Sequence, residues 1–194
     1  VEDLRGDYPG LGSALTAFGL ERGHFLAQHV FSLLGENDCP WQQLVKIFQN
    51  PEGSLPENLA KSIRKENVDL WHYLYKEQKI RFQLLQLLSR FNLSPSQCTT
   101  IFNRKDRTKV FRNVSDDAIL DNPYLIYEIS ISSIEPINYS TIDIGLMLNR
   151  DRELLPGSTN RFHPLSVERI RALTVMQLER QASFGHTLYP EDEL

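Results

Sequence analysis

Apolar residues recur along this chain mostly at three- and four-residue intervals, the spacing that lines one face of an α-helix. From Leu20 to Leu34 the positions Phe25, Leu26, His29, Val30, Leu33 and Leu34 follow it, and Gly35 stands where such a helix would end. Asp38 is placed to cap a second helix carrying Pro40, Trp41, Leu44, Val45 and Phe48, which Asn50-Pro51 stops. Pro56 to Tyr75 predicts one or two helices. Lys76 to Phe91 predicts a longer one, with Ile80, Leu84, Leu85, Leu87 and Leu88 to one side. Ser94-Pro95-Ser96-Gln97 reads as a capping box with proline at the first helical position, opening a short helix that reaches about Asn103. Ser115 opens another around Asp117 to Leu120, and Asn122-Pro123 a further turn with Tyr124, Leu125 and Tyr127.

One stretch, Ile129 to Ile134, alternates Ile and Ser as a strand would, too briefly to change the class. Residues 149–165 are rich in turn formers and charge and read as a linker or loop. Beyond them Ser166 to Phe184 predicts the longest helix, with Val167, Ile170, Leu173, Thr174 and Leu178 on one face and Gly185 closing it. Tyr189-Pro190 then looks like the start of another helix, so the chain stops within an element. The expected fold is all-α, short helices in helix-hairpin-helix-like pairs with little or no sheet. Its expected divisions are a helical subdomain at 1–66, a second at 67–148, the linker at 149–165 and a closing helix at 166–194.

Composition narrows the function more by exclusion. Hydrophobic residues make up 41% of 194 positions and charged ones 24%, enough for a core and too ordinary for disorder. Two cysteines, Cys39 and Cys98, are too few for a disulfide framework or a Cys-based zinc site and fit a reducing cytoplasm. No apolar run is long enough to cross a bilayer, and the opening VEDLRGDYPG is neither signal peptide nor initiator, so the sequence reads as a piece of something longer. No glycine is followed by the lysine of a phosphate-binding loop, no serine sits in a Gly-x-Ser-x-Gly elbow, and His24 and His29 are spaced off a shared face. No catalytic site, metal site or resident cofactor is expected.

Binding chemistry is better represented. Arg104, Lys105, Arg107, Lys109 and Arg112 set five cations against one anion, Asp106, within nine residues, in a chain whose net charge is −4. Such a run suits the phosphates of a nucleic acid, whose counterions it would release. It equally suits a solvated face that balances Asp116, Asp117 and Asp121. Gly10 and Gly12, in Tyr8-Pro9-Gly10-Leu11-Gly12, could form a hairpin whose amides approach a phosphate, or an ordinary structural turn.

Three segments carry a resemblance. Glu168-Arg169-Ile170-Arg171-Ala172, Gln177-Leu178-Glu179, Gly185-His186-Thr187-Leu188-Tyr189-Pro190 and Glu193-Leu194 make up the first; Asp121-Asn122-Pro123-Tyr124-Leu125-Ile126-Tyr127-Glu128-Ile129 is the second; Asn138-Tyr139-Ser140-Thr141-Ile142-Asp143-Ile144-Gly145 is the third. In order and spacing, over about Leu70 to Leu194, they resemble the helix-hairpin-helix region that precedes the motor of RecD-like DNA helicases (exodeoxyribonuclease V α-subunit-like proteins). The resemblance implies a DNA-binding or DNA-positioning accessory region for DNA repair or recombination. It also implies a motor beyond Leu194 that binds ATP and Mg²⁺, and single-stranded or junction DNA as partner. Within it, Pro136, Asn138, Tyr139, Ser140 and Thr141 fall at the hairpin, with Pro136 and Asn138 where the family carries glycines. Proline offers no amide to a phosphate, so this hairpin is expected to keep its shape without the contact. Arg169 and Arg171 would face either DNA or the motor. The alternative is a helical interaction or spacer module that orients the motor without touching DNA.

Overall fold

The computed structural model describes residues 7–35, 38–110, 114–147 and 163–185. Among them are thirteen helices and no strand, so the chain is all-α. In order they are α1 (Leu11–Phe18), α2 (Gly23–Leu33), α3 (Pro40–Gln49), α4 (Pro51–Ser54), α5 (Glu57–Ala60), α6 (Lys65–Glu77), α7 (Lys79–Leu88), α8 (Pro95–Phe102), α9 (Arg104–Val110), α10 (Asp116–Asp121), α11 (Leu125–Ser130), α12 (Tyr139–Met147) and α13 (Val167–Ser183). No described helix is long and apolar enough to cross a membrane.

Local chemistry sets several of these boundaries. Ser94 accepts from the Gln97 amide while the Gln97 side chain accepts from the Ser94 amide, the reciprocal capping box expected for α8. Ser115 and Ser166 cap α10 and α13 in the same way through one bond each. The boundary expected between Tyr75 and Lys76 falls two residues later, at Gln78 (φ −120°, ψ 56°), between α6 and α7, and α7 ends at Leu88 instead of Phe91. That bend turns Phe82 back onto Trp71, with ring centres 5.2 Å apart and planes perpendicular. The strand-like stretch 129–134 is also corrected: Ile129 and Ser130 finish α11 and the rest is turn. The reason is that Ser130 is buried, its hydroxyl donating to the Tyr127 carbonyl and accepting from the Ile137 amide, so it caps a helix end and leaves no ladder to pair.

Trp71 holds the centre of the core. It stacks on Phe48 at 4.0 Å with planes 2° apart, faces Trp41, and meets the edges of Phe18 and Phe82. Phe48 belongs to α3 and Trp71 to α6, so the aromatic cluster spans the division expected at 66/67. α1 packs against both α2 and α8, and the buried apolar residues run as one cluster from Leu11 to Ala172.

The close seating of α1 explains the two glycines proposed as a phosphate hairpin. A Cβ on Gly10 would lie 2.0 Å from the Phe91 carbonyl oxygen, and one on Gly12 would overlap the His24 ring. The Gly10 amide donates to the Ser89 carbonyl at 2.9 Å. Both glycines are buried contact points between helices, where the absence of a side chain lets backbones approach. Gly10→Ala is therefore expected to destabilise the fold by about 1–3 kcal/mol, the range for an overpacked core. A urea-denaturation midpoint unchanged from wild type would show that α1 has room to move away.

Candidate functional site

Two features gather the charged residues singled out by the sequence. The first is a carboxylate shared by three arginines. Asp116, at the first turn of α10, is 1% exposed at its side chain. Arg107 of α9 pairs with its Oδ1. Arg104 donates to Oδ2 from Nη2 at 2.7 Å and Nε at 3.2 Å, and Arg81 of α7 places Nη1 3.5 Å from that same oxygen. Arg107 also donates to the Ile101 carbonyl, and Arg81 donates to the Phe102 carbonyl with its guanidinium 4.1 Å over the Phe102 ring. Burial pushes the Asp116 carboxyl upward, but hydrogen bonds from Arg104 and Arg107 outweigh it and hold the group below the usual carboxylate range.

The five cations of the basic run thus have different roles. Arg107 is 3% exposed and fully engaged inside the fold. Arg104 is paired yet 64% exposed, Lys105 is exposed, and Lys109 is exposed while pairing with Asp106 at 3.0 Å. Arg112 lies outside the described residues. Balancing by the local acids was foreseeable for Asp116, but Arg81, 35 positions earlier, gave no local signal of joining it.

The hairpin between α11 and α12 is tied inward. The Ile137 amide donates to Ser130 Oγ at 2.8 Å, and the Asn138 carbonyl accepts from the Thr141 amide. The Glu135 carboxylate accepts from Ser96 Oγ at 2.5 Å at the start of α8, beside a cavity of about 250 Å³ lined by Thr100, Ser133 and Ile137. The Pro136 carbonyl accepts from the Gln97 side-chain Nε2 at 3.4 Å. An approaching phosphate would thus meet a carboxylate and an amide that is already bonded. Ser140 is exposed, while Tyr139 is buried and stacks 5.8 Å from Tyr124.

The second feature is the attachment of α13. Arg169 grips Asp143 of α12 with two hydrogen bonds, Nε to Oδ1 at 2.7 Å and Nη2 to Oδ2 at 3.0 Å, and donates to the Pro164 carbonyl. The hydroxyls of Tyr124 and Tyr139 both donate to Asp143 Oδ1. Tyr127 donates to Glu179 at 2.7 Å, and Arg171 pairs with Glu128 at 3.1 Å. Arg169 and Arg171, expected to face DNA or a motor, face the chain's own α11 and α12. At Asp143 burial again pushes upward, while bonds from Arg169, Tyr124 and Tyr139 hold the carboxyl below its ordinary value. Burial, then the bond to Asp143, raises the Tyr139 hydroxyl to about 12.

Because these polar residues and the fully buried Ala172 form the packed side of α13, its apolar stripe points the other way. Val167 is 77% exposed, Ile170 50% and Leu178 43%, with Leu165 and Phe184 exposed beyond either end. The apolar face that the spacing identifies on this helix is thus largely the outer one. Arg169 and Glu179, ten residues apart, lie on one side of an ideal helix, and Ile170, Thr174 and Leu178 on the opposite side.

In comparison with known proteins, the chain is 26% identical, over its whole length, to the uncharacterized protein MJ1519 of Methanocaldococcus jannaschii, and spans 15% of that protein's length. No known family profile matches it, and no solved structure does.

The shared carboxylate predicts an asymmetric response to mutation. Asp116→Asn leaves Arg107 buried without its anion and is expected to cost about 3–5 kcal/mol, whereas Arg104→Gln, at a largely exposed partner, costs less than about 1 kcal/mol. Since the folded carboxyls of Asp116 and Asp143 sit below their unfolded values near 3.9, their stabilisation is complete above that pH and is lost as pH falls through the folded values. Urea denaturation of wild type and both variants at pH 7 and pH 3 measures this; equal losses for the two variants at pH 7 would contradict the assignment.

Proposed function

We propose that this chain is a helical accessory module of a RecD-like, ATP-dependent DNA helicase, and that it orients the motor by docking against it through the outer face of α13. The observation that carries this reading is the inverted attachment of α13: polar residues hold it to the body, leaving an apolar stripe of Val167, Ile170 and Leu178 toward solvent. An unpartnered stripe rimmed by polar residues is the usual mark of a protein contact. The occupant favoured is the remainder of a long polypeptide, since the archaeal relative carries a segment similar to this whole chain within a protein more than six times as long. The order of the segments from Asp121 to Leu194 supplies the helicase class. ATP and Mg²⁺ belong in this reading to the motor.

The gene is expected to encode a Gly-x-x-x-x-Gly-Lys-Ser/Thr loop beyond Leu194. The segment bearing that loop, expressed separately, should bind this chain in calorimetry, and Ile170→Glu with Leu178→Glu should weaken binding at least tenfold without lowering thermal stability. Wild-type binding that the double variant leaves intact would remove α13 from the interface.

A second reading, direct contact with DNA, is favoured by a different observation: Arg104 remains largely exposed although paired, with Lys105 and Lys109 exposed on the same short helix. Here Arg107 is the internal anchor and the other three meet phosphates. Arg104→Ala, Lys105→Ala and Lys109→Ala together should weaken DNA binding and flatten its dependence on salt, by about one unit of logarithmic slope for each phosphate no longer neutralised. Titrations at two salt concentrations measure the slope; a wild-type chain showing no salt-dependent binding would end this reading.

A further inference from the structure

The cavity of about 250 Å³ between α8 and the hairpin joining α11 to α12 has no part in either reading above. Ser96 and Thr100, one turn apart on the same side of α8, line it from one element. Ser133, Ile134, Glu135 and Ile137 line it from the other. At a share of about 30 Å³ for each water-sized group, it has room for roughly eight such groups, so its occupant is small. Among the described residues Glu135 is the one charged side chain in the lining. Its Oε2 accepts from Ser96 at 2.5 Å and from Ser94 at 3.4 Å, while Oε1 accepts from no described residue. The amino end of α8 carries roughly half a positive charge, which the full charge of Glu135 exceeds, so the cavity favours a cation. Ser133 Oγ is buried without a partner among the described residues, and a hydrogen bond from outside the chain would relieve that cost. Apolar surface comes from the buried Ile137 and from Ile134, whose fully exposed side chain an alkyl group would cover.

We propose that this cavity binds an ammonium group carried on a short aliphatic chain. Glu135 and Ser133 accept from the ammonium, whose three donors suit a site that supplies acceptors. The alkyl part lies against Ile134 and Ile137. A carboxylate or phosphate would instead meet the like charge of Glu135, with no cationic side chain in the lining to offset it. Either a free amine or the side chain of a partner's lysine carries this chemistry. The site uses no residue of α9 or α13, so it is independent of the roles proposed for those helices.

Amide chemical shifts of the chain, followed by NMR during titration with hexylammonium, hexanol or hexanoate, test the proposal in wild type, Glu135→Gln and Thr100→Phe. Hexylammonium is expected to give saturable shifts at Ser96, Ser133 and Ile137 with a dissociation constant in the roughly millimolar range, as suits so small a ligand. Hexanol should bind more weakly and hexanoate not at all. Glu135→Gln, at an exposed side chain that leaves the core intact, should weaken hexylammonium binding about fivefold. Thr100→Phe, which fills the cavity, should abolish it, and thermal melting checks that this variant remains folded. Nα-acetyl-lysine methylamide separates the two sources: tighter binding than hexylammonium points to a lysine of a protein partner, weaker binding to a free amine, and either supports the site. No saturable binding of hexylammonium, equal binding of hexylammonium and hexanoate, or binding that Glu135→Gln leaves unchanged overturns the proposal.

Discussion

Arg169 reaches Asp143 through two hydrogen bonds, and the hydroxyls of Tyr124 and Tyr139 converge on the same carboxylate. The arrangement fixes the rotation of α13 about its own axis. A helix attached through its apolar stripe would bury Ile170 and Leu178; one attached through Arg169 and Glu179 must present them outward, because a helix places these groups on opposite sides. Bidentate arginine–carboxylate pairs are directional in a way that apolar packing is not. The clamp therefore sets orientation, while Ala172 and the half-buried Met176 contribute the contact area beneath it.

A comparable constraint operates at Asp116. One buried carboxylate links α7, α9 and α10, and its arginines divide by depth into Arg107, which serves the fold, and Arg104, which reaches solvent. The surface charge of α9 thus depends on an interior anion. Removing the anion would release cations by unfolding their support, and the positive surface would disappear with it. Both sites share a design in which an acidic residue inside holds basic residues in place, so a net acidic chain can still display a local positive face.

Much of the helical plan is legible in the sequence, because caps act locally. Ser94, Ser115 and Ser166 each bond to an amide three residues on, and each begins a helix where expected. The break between α6 and α7 was legible to within two residues; its place at Gln78 goes with Phe82 meeting Trp71, a contact that periodicity does not encode. The stripe on α13 was identified residue by residue, but its direction was not. Periodicity reports that a helix has an apolar face; whether that face meets this chain or another depends on what the opposite face finds. Here the signal was present in Asp143 and Arg169, in segments already singled out, without any rule to pair them across 26 positions. The basic run is similar: its composition was plain, and the burial of Arg107 followed only from the position of Asp116.

The proposed docking surface depends most directly on the direction of α13. In a Cys39→Ser background, where Cys98 is fully buried, Ile170→Cys and Ala172→Cys can be compared by their rates of thiol alkylation in the native chain. With the apolar stripe outward, Ile170→Cys reacts nearly as fast as in denaturant while Ala172→Cys is strongly protected. Protection of Ile170→Cys with rapid reaction at Ala172→Cys would show that α13 buries its apolar stripe after all, and the docking surface would not exist.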